Sequence, residues 1–171
     1  AGLEHRVRVE VRDYRDLSLG EGQARFDKVV SVGMFEHVGR AHLQGYVQQV
    51  YRLLRPGGLF LNHGIVVVEA DRPPGAVEQL ARLIFPQKTF MHQYVFPDGE
   101  LVYTHEVLAH AERLGFETRD VESLREHYAL TLRHWVKRLE DRHTEAVDIV
   151  GETGYRVWRF YMGGCAWAFD T

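Results

Sequence analysis

Cysteine is nearly absent. Cys165 is the single one in 171 residues, so no internal disulfide can form and no cysteine pair can build a zinc ribbon, which predicts a reducing, cytoplasmic setting. Excess positive charge is missing as well. Lys plus Arg number 21 against 24 Asp plus Glu, a formal net charge of -3, so no bulk field draws nucleic acid, and any contact with an anionic lipid surface has to be local. No apolar run reaches the roughly 18 residues of a membrane-crossing helix, and the opening residues do not read as a signal peptide, which predicts a soluble chain. Ten histidines are present, yet none forms an HxxxH or HExxH pair, so no metal site is expected. Repeats and low-complexity tracts are lacking too. With 45% hydrophobic and 26% charged residues, the composition excludes disordered, collagen-like and coiled-coil chains, and the length suits one unit with a real core.

The patterns that are present point to alternating strands and helices. Arg6 to Asp13 alternates polar and β-branched residues, as a half-exposed edge strand does. Phe26 to Gly33 is an apolar run with little alternation, as expected of a central parallel strand covered on both faces. A helix is predicted from about Arg40 to Leu54, with Leu43, Tyr46, Val47, Val50, Tyr51 and Leu54 on one face, stopped by Arg55-Pro56-Gly57-Gly58. Leu59 to Val68 is a second buried strand, interrupted by Asn62, His63 and Gly64, residues that a pure core strand avoids. Between Glu69 and Gly99 four prolines and several aromatics suggest a folded lid or pocket wall. A short helix over Thr104–Leu114, a strand over Phe116–Leu124, a long helix over Tyr128–Val150 and a last helix over Glu152–Phe169 complete the reading. Short links between such elements imply an α/β fold with a parallel sheet and no domain boundary.

One segment carries the strongest chemical signal. In Ser31-Val32-Gly33-Met34-Phe35-Glu36-His37-Val38-Gly39 a buried strand ends in glycine and at once presents a carboxylate and an imidazole. Ligands of open α/β sheets bind at the carboxyl ends of strands. Glu36 alone equally suits a helix N-terminus, where the dipole favours an acid. His63, in the neighbouring strand near the same sheet edge, tips the balance towards a site shared with Glu36. Asp13 and Tyr14 close the first strand where a nucleotide-type ligand meets a carboxylate and an aromatic face, although a surface turn reads the same way. Tyr128 either donates its hydroxyl to an anion or anchors its helix. Cys165, among Gly163, Gly164 and Ala166, reads as helix packing, since no activating base adjoins it.

Taken together, these segments resemble the cyclopropane fatty acid synthase and mycolic acid cyclopropane synthase family of S-adenosylmethionine (SAM) methyltransferases. The resemblance rests on Phe26 to Gly39, on Leu53-Leu54-Arg55-Pro56-Gly57-Gly58, on His63-Gly64-Ile65, on Tyr94-Val95-Phe96-Pro97-Asp98-Gly99, and on His127-Tyr128 followed by Thr131 to Trp135. The Arg-Pro-Gly-Gly element is common to many SAM methyltransferases. Met-Phe-Glu-His-Val-Gly joined to Phe-Pro-Asp-Gly is much more specific. The resemblance implies a Rossmann-like sheet with SAM over the strand ends, contacted by Asp13, Tyr14, Val32, Gly33 and His37. It also implies a bicarbonate ion held by Glu36, His63, the backbone of Ile65, and Tyr128. The implied reaction transfers a methylene from SAM to the cis double bond of a phospholipid acyl chain: the alkene attacks the sulfonium methyl, and bicarbonate deprotonates the resulting cation so that the ring closes. Residues 84–96 of the insertion, about 69–99, then wall the acyl channel.

The chain departs from the family pattern at both ends. A strand with a glycine-rich Asp-x-Gly-x-Gly loop, a second strand with an acidic ribose contact and an anion-site cysteine are expected before Ala1, and a last antiparallel strand after Thr171. The expectation is therefore a partial methyltransferase domain over residues 1–171, weak in SAM binding by itself and with uncovered apolar sheet edges that favour a homodimer. The resemblance implies unsaturated phospholipid acyl chains as substrate and transient contact with the inner face of the membrane. Two alternatives stand beside it: methylation of an unsaturated lipid without ring closure, and a non-catalytic lipid-binding or interaction fragment.

Overall fold

The computed structural model describes residues 2–20, 25–67, 90–97 and 99–170. Their contacts form two compact units, one of Ala1–Asp71 with Glu100–Thr118 and the other of Arg72–Gly99 with Arg119–Thr171.

The first unit is built on a parallel pair. Strand β1, Phe26–Val32, lies beside strand β2, Leu54–His63, with Lys28 opposite Leu59 and Val32 opposite His63. Two parallel strands need a crossover, and helix α1, Leu43–Leu53, supplies it. Its Leu43, Tyr46, Val47, Val50 and Leu53 are all buried, on the face that the three- and four-residue spacing defines, whereas Tyr51, expected on that face, lies at its margin and is exposed. Leu43, Tyr46, Val47 and Val50 form the core cluster with Phe35, Leu54 and Val102, and Val29 and Phe60 of the strands pack against it. Helix α2, Thr104–Arg113, adds Val107 and Ala111 to the same core. Its first turn is fixed by Glu106, whose Oε2 accepts the Tyr103 amide at 2.9 Å. The α/β class and the parallel pairing are as the sequence predicts.

Several elements differ from expectation. Residues 7–13 carry no ladder hydrogen bonds and are exposed along their length; alternation prescribes a strand only where a neighbour accepts its bonds, and none does among the described residues. A 3-10 turn, Tyr14–Asp16, ends this stretch. β1 is covered on one face, because Val30 and Val32 are exposed while Val29 meets the core. Helix α1 ends at Leu53, leaving two residues before the Pro56-Gly57-Gly58 element, which lies inside β2 as an irregularity: Phe26 pairs with Leu54 but Lys28 with Leu59. β2 ends at His63, short of the predicted Val68, and Val67 makes an isolated bridge to Tyr103. Residues 117–124 form no strand. Phe116, just before that run, packs its ring 5.3 Å from Tyr51 and 5.8 Å from Phe60, and Thr118 Oγ1 donates to Glu112 Oε1 at 3.1 Å.

The second unit is a helical hairpin of α3, Arg125–Asp141, and α4, His143–Asp170. The single helix expected over 128–150 is broken at Arg142, whose backbone leaves the helical region at φ -117° and ψ 36°. A kink at Gly151, φ 74° and ψ 165°, then starts the segment that the sequence assigns to the last helix. The two helices run antiparallel, since Arg125 at the start of α3 reaches the end of α4. Its Nε and Nη2 donate to the carbonyls of Phe169 at 3.1 Å and Ala168 at 2.7 Å, groups that no intrahelical donor can satisfy. Arg133 pairs with Asp170 and Arg159 with Glu140 along the same seam. Most of the insertion, residues 68–89 with 98, lies outside the described residues, so its role as a lid or channel wall has no structural account. Within it Met91–Val95 form one π-helical turn, and the Phe90 ring packs 5.2 Å from Phe160.

Candidate active site

The carboxyl ends of β1 and β2 are fastened together by one bond, from the Gly33 amide to the His63 carbonyl at 2.9 Å. Beyond Gly33 the chain makes a single 3-10 turn, Phe35–His37. Phe35 is buried in the core, and driving that ring inward fixes the carboxylate beside it. Glu36 Oε1 accepts the Ile65 amide at 3.1 Å. Glu36 Oε2 is buried and has no hydrogen-bond partner among the described residues. Leaving a carboxylate oxygen in that state costs on the order of 1–3 kcal/mol, and native structures rarely keep such an atom without a ligand or ordered water.

Gly64 makes this arrangement possible. A Cβ there would lie 2.2 Å and 2.4 Å from two Phe35 ring carbons and 2.8 Å from Glu36 Oε2, so only glycine lets the chain pass. The three unusual residues of the second strand thus have separate tasks. Asn62 Oδ1 accepts the Tyr46 hydroxyl at 2.9 Å, His63 supplies the carbonyl to Gly33, and Gly64 provides the clearance. Burial pushes the Tyr46 phenol above its ordinary value of 10.0, keeping it a neutral donor to Asn62. Sequence reading counts Tyr46 only as a core residue; the polar Asn62 in an apolar run is the signal that the core needs a hydroxyl beside it.

Glu36, His63, Ile65, Val32, Gly33 and His37 therefore converge at one end of the sheet. The His63 imidazole and the side chains of Val32 and His37 are exposed. Asp13 and Tyr14 belong to the same unit and are held differently from a free adenine contact. Both Asp13 oxygens receive the Arg15 guanidinium, Oδ2 from Nη2 at 2.6 Å, and Oδ1 also takes the Arg15 amide at 2.9 Å. That hydrogen bonding lowers the Asp13 carboxyl to about 2. The half-buried Tyr14 ring stands edge-on to Tyr46 at 5.6 Å, and its carbonyl accepts Gln49 Nε2 at 3.2 Å. Tyr128 belongs to the helical hairpin, where its ring meets Phe169 at 5.2 Å and Trp135 at 6.1 Å, both edge-on. Cys165 is half-buried and burial pushes its thiol up, which suits packing and opposes nucleophilic use.

The family model described as mycolic acid cyclopropane synthetase matches residues 1–171. The chain belongs to this family. A probable fatty acid methyltransferase of Pseudomonas putida is 45% identical over 172 residues, covering 99% of this chain and 40% of that protein. The cyclopropane-fatty-acyl-phospholipid synthase of Escherichia coli K12 is 31% identical over 163 residues, covering 95% of this chain and 38% of that protein. Among solved structures, a mycolic acid cyclopropane synthase complexed with SAH and CTAB superposes with a TM-score of 0.75 at 28% identity, over 91% of this chain and 53% of that one. The chain thus spans about two fifths of the length of each of these two curated relatives. Its fold is that of a partial cyclopropane synthase methyltransferase. No helix among the described residues is long and apolar enough to cross a membrane.

Proposed function

We propose that the protein is the catalytic part of a SAM-dependent enzyme that transfers a methylene to the cis double bond of a phospholipid acyl chain, forming a cyclopropane, with bicarbonate bound at Glu36. The observation that carries this reading is the pair of unlike oxygens on one carboxylate. Oε1 is occupied by the Ile65 amide, and Oε2 is buried without a partner. A small oxyanion bearing a proton fits that atom, because the ionised carboxylate only accepts and bicarbonate has a hydroxyl to donate. When bound, SAM supplies the methyl group and bicarbonate the base.

The chain's own residues then have defined work. Glu36 accepts the anion's proton donor and keeps its own orientation through Ile65. Gly64 holds Cβ bulk away from Oε2, and Phe35 seals the turn from water, which strengthens charge interactions in the site. His63 stands at the adjacent strand end as a second donor to the anion, and Tyr128 completes the set on the strength of the sequence resemblance. Asp13, Tyr14, Val32, Gly33 and His37 form the proposed SAM contact. The acyl substrate implies transient contact with the inner face of the membrane by a cytoplasmic protein, and homodimer formation is proposed from the exposed apolar residues of β1 and β2.

The reading is tested by incubating the full-length protein with SAM and unsaturated phospholipid vesicles and analysing the lipid. A second reading, methylation without ring closure, is favoured by the Pseudomonas putida relative, a probable fatty acid methyltransferase and the more similar of the two curated proteins above. Cyclopropane and C-methyl alkene are isomers, so mass alone does not separate them. Proton NMR of the purified lipid does: ring methylene signals support cyclopropanation, retained vinyl signals with a new branch methyl support the second reading, and unmodified lipid removes both.

A further inference from the structure

We propose that Glu100 is a positioning residue that braces the turn carrying Glu36. It holds that turn at one point and the turn that follows it at another. Its amide donates to the Glu36 carbonyl at 3.3 Å, and its carboxylate Oε2 accepts the Arg40 amide at 2.8 Å. The Phe35–His37 turn has few bonds of its own, chiefly His37 to the Met34 carbonyl at 3.0 Å and Val38 to the Phe35 carbonyl at 3.0 Å. A second 3-10 turn, Arg40–His42, follows with no side-chain cap from its own N-terminal neighbour, Gly39. Glu100 provides that cap from sixty residues away.

The contact explains the last glycine of the Glu-His-Val-Gly motif. Gly39 has φ 77° and ψ 152°, a backbone that side chains disfavour, and a Cβ there would sit 3.3 Å from Glu100 Oε2. Arg40 then ties the brace to the start of α2. Its Nη1 reaches Glu106 Oε1 at 3.0 Å, and its guanidinium lies 5.5 Å from the centre of the Tyr103 ring. Glu106 in turn holds the Tyr103 amide. The result is a continuous chain of contacts from a core-anchored helix to the Glu36 backbone.

The catalytic consequence rests on the proposed role of Glu36, whereas the bracing itself does not. Native-state amide exchange followed by NMR tests the bracing, and steady-state turnover tests its consequence. In Glu100→Ala, which removes the side-chain cap and leaves the backbone bond to Glu36 in place, exchange at the Arg40 amide should quicken about five- to tenfold, the loss expected for one hydrogen bond, and exchange at the Ile65 amide should quicken with it as the Glu36 turn loosens, while Leu132 in α3 is unchanged. Turnover should fall about tenfold or more at constant KM for lipid, since small misplacements of reacting groups are costly. Glu100→Gln keeps an oxygen for the Arg40 amide and should recover most of both losses. Glu100→Asp retracts the carboxylate but keeps its charge, and should show the same losses if the alanine variant does not fold. Wild-type exchange at Ile65 in either shortened variant overturns the bracing. If Glu36→Gln retains full turnover, the anion reading fails separately, and the exchange data still decide on Glu100.

Discussion

Replacing Gly64 by alanine puts a methyl group 2.2 Å and 2.4 Å from carbons of the Phe35 ring and 2.8 Å from Glu36 Oε2. Ordinary carbon contact is about 3.5 Å, so ring and strand must separate by roughly 1.3 Å. Phe35 is 3% exposed and packed in the core with Leu43 and Tyr46, so it has no free volume to enter. Overpacking of this kind costs about 1–3 kcal/mol, and the depth of the overlap places Gly64→Ala at the upper limit, about 3 kcal/mol. For a chain of this size that lowers Tm by about 6–12 °C. Thermal unfolding followed by circular dichroism reads the shift. The same displacement moves the Glu36 turn, so turnover should fall further than the loss of folded protein explains. Gly164→Ala is the control. That helical glycine has nothing within 4 Å of a built Cβ, and alanine there should add about 0.5–1 kcal/mol. An unchanged Tm in Gly64→Ala would refute the claim that close approach at the strand end requires glycine.

Removing the hydroxyl in Tyr46→Phe strands Asn62 Oδ1 and should cost about 1–2 kcal/mol in urea unfolding. The raised Tyr46 phenol also contributes to alkaline instability. The unfolded chain loses that proton near 10.0 and the folded one only at higher pH, so stability is full below that value and falls as pH rises above it; Tyr46→Phe should flatten the fall. Arg15→Ala should return the Asp13 carboxyl from about 2 towards its ordinary 3.8, measured by NMR titration, with acid sensitivity between those values lost in the variant. Arg125→Ala should fray the end of α4, since two carbonyls lose their donor, and exchange at the last-turn amides should quicken while Leu132 stays protected.

The parts of the fold that sequence made legible are those with one dominant physical cause. β1, β2 and α1 follow from apolar runs and from helical spacing, both consequences of burial, and the parallel pairing follows from the single helix between them. Segments whose structure depends on a neighbour were harder to read. Residues 7–13 have the pattern of a strand and no ladder partner among the described residues, and in residues 116–124 Phe116 is the one aromatic anchor, followed by side chains that face solvent. The helix break at Arg142 has no glycine or proline to announce it. At the site, Glu36 and His63 stood out because polar residues were spent at the ends of apolar runs. Gly64 was visible as an oddity, but its cause, the Phe35 ring, belongs to another segment. Glu100 was invisible, since the Arg40 amide and guanidinium that it meets lie sixty residues away.

The central claim is that Glu36 Oε2 receives a small anion at the carboxyl ends of β1 and β2. Its most direct test is turnover of the full-length protein against bicarbonate concentration, after carbon dioxide has been stripped from buffers and enzyme, for wild type and Glu36→Gln. The account predicts that wild type loses activity on depletion and regains it on titration, while Glu36→Gln needs far more bicarbonate and reaches a lower maximum. Equal turnover of both proteins in bicarbonate-free buffer would contradict it.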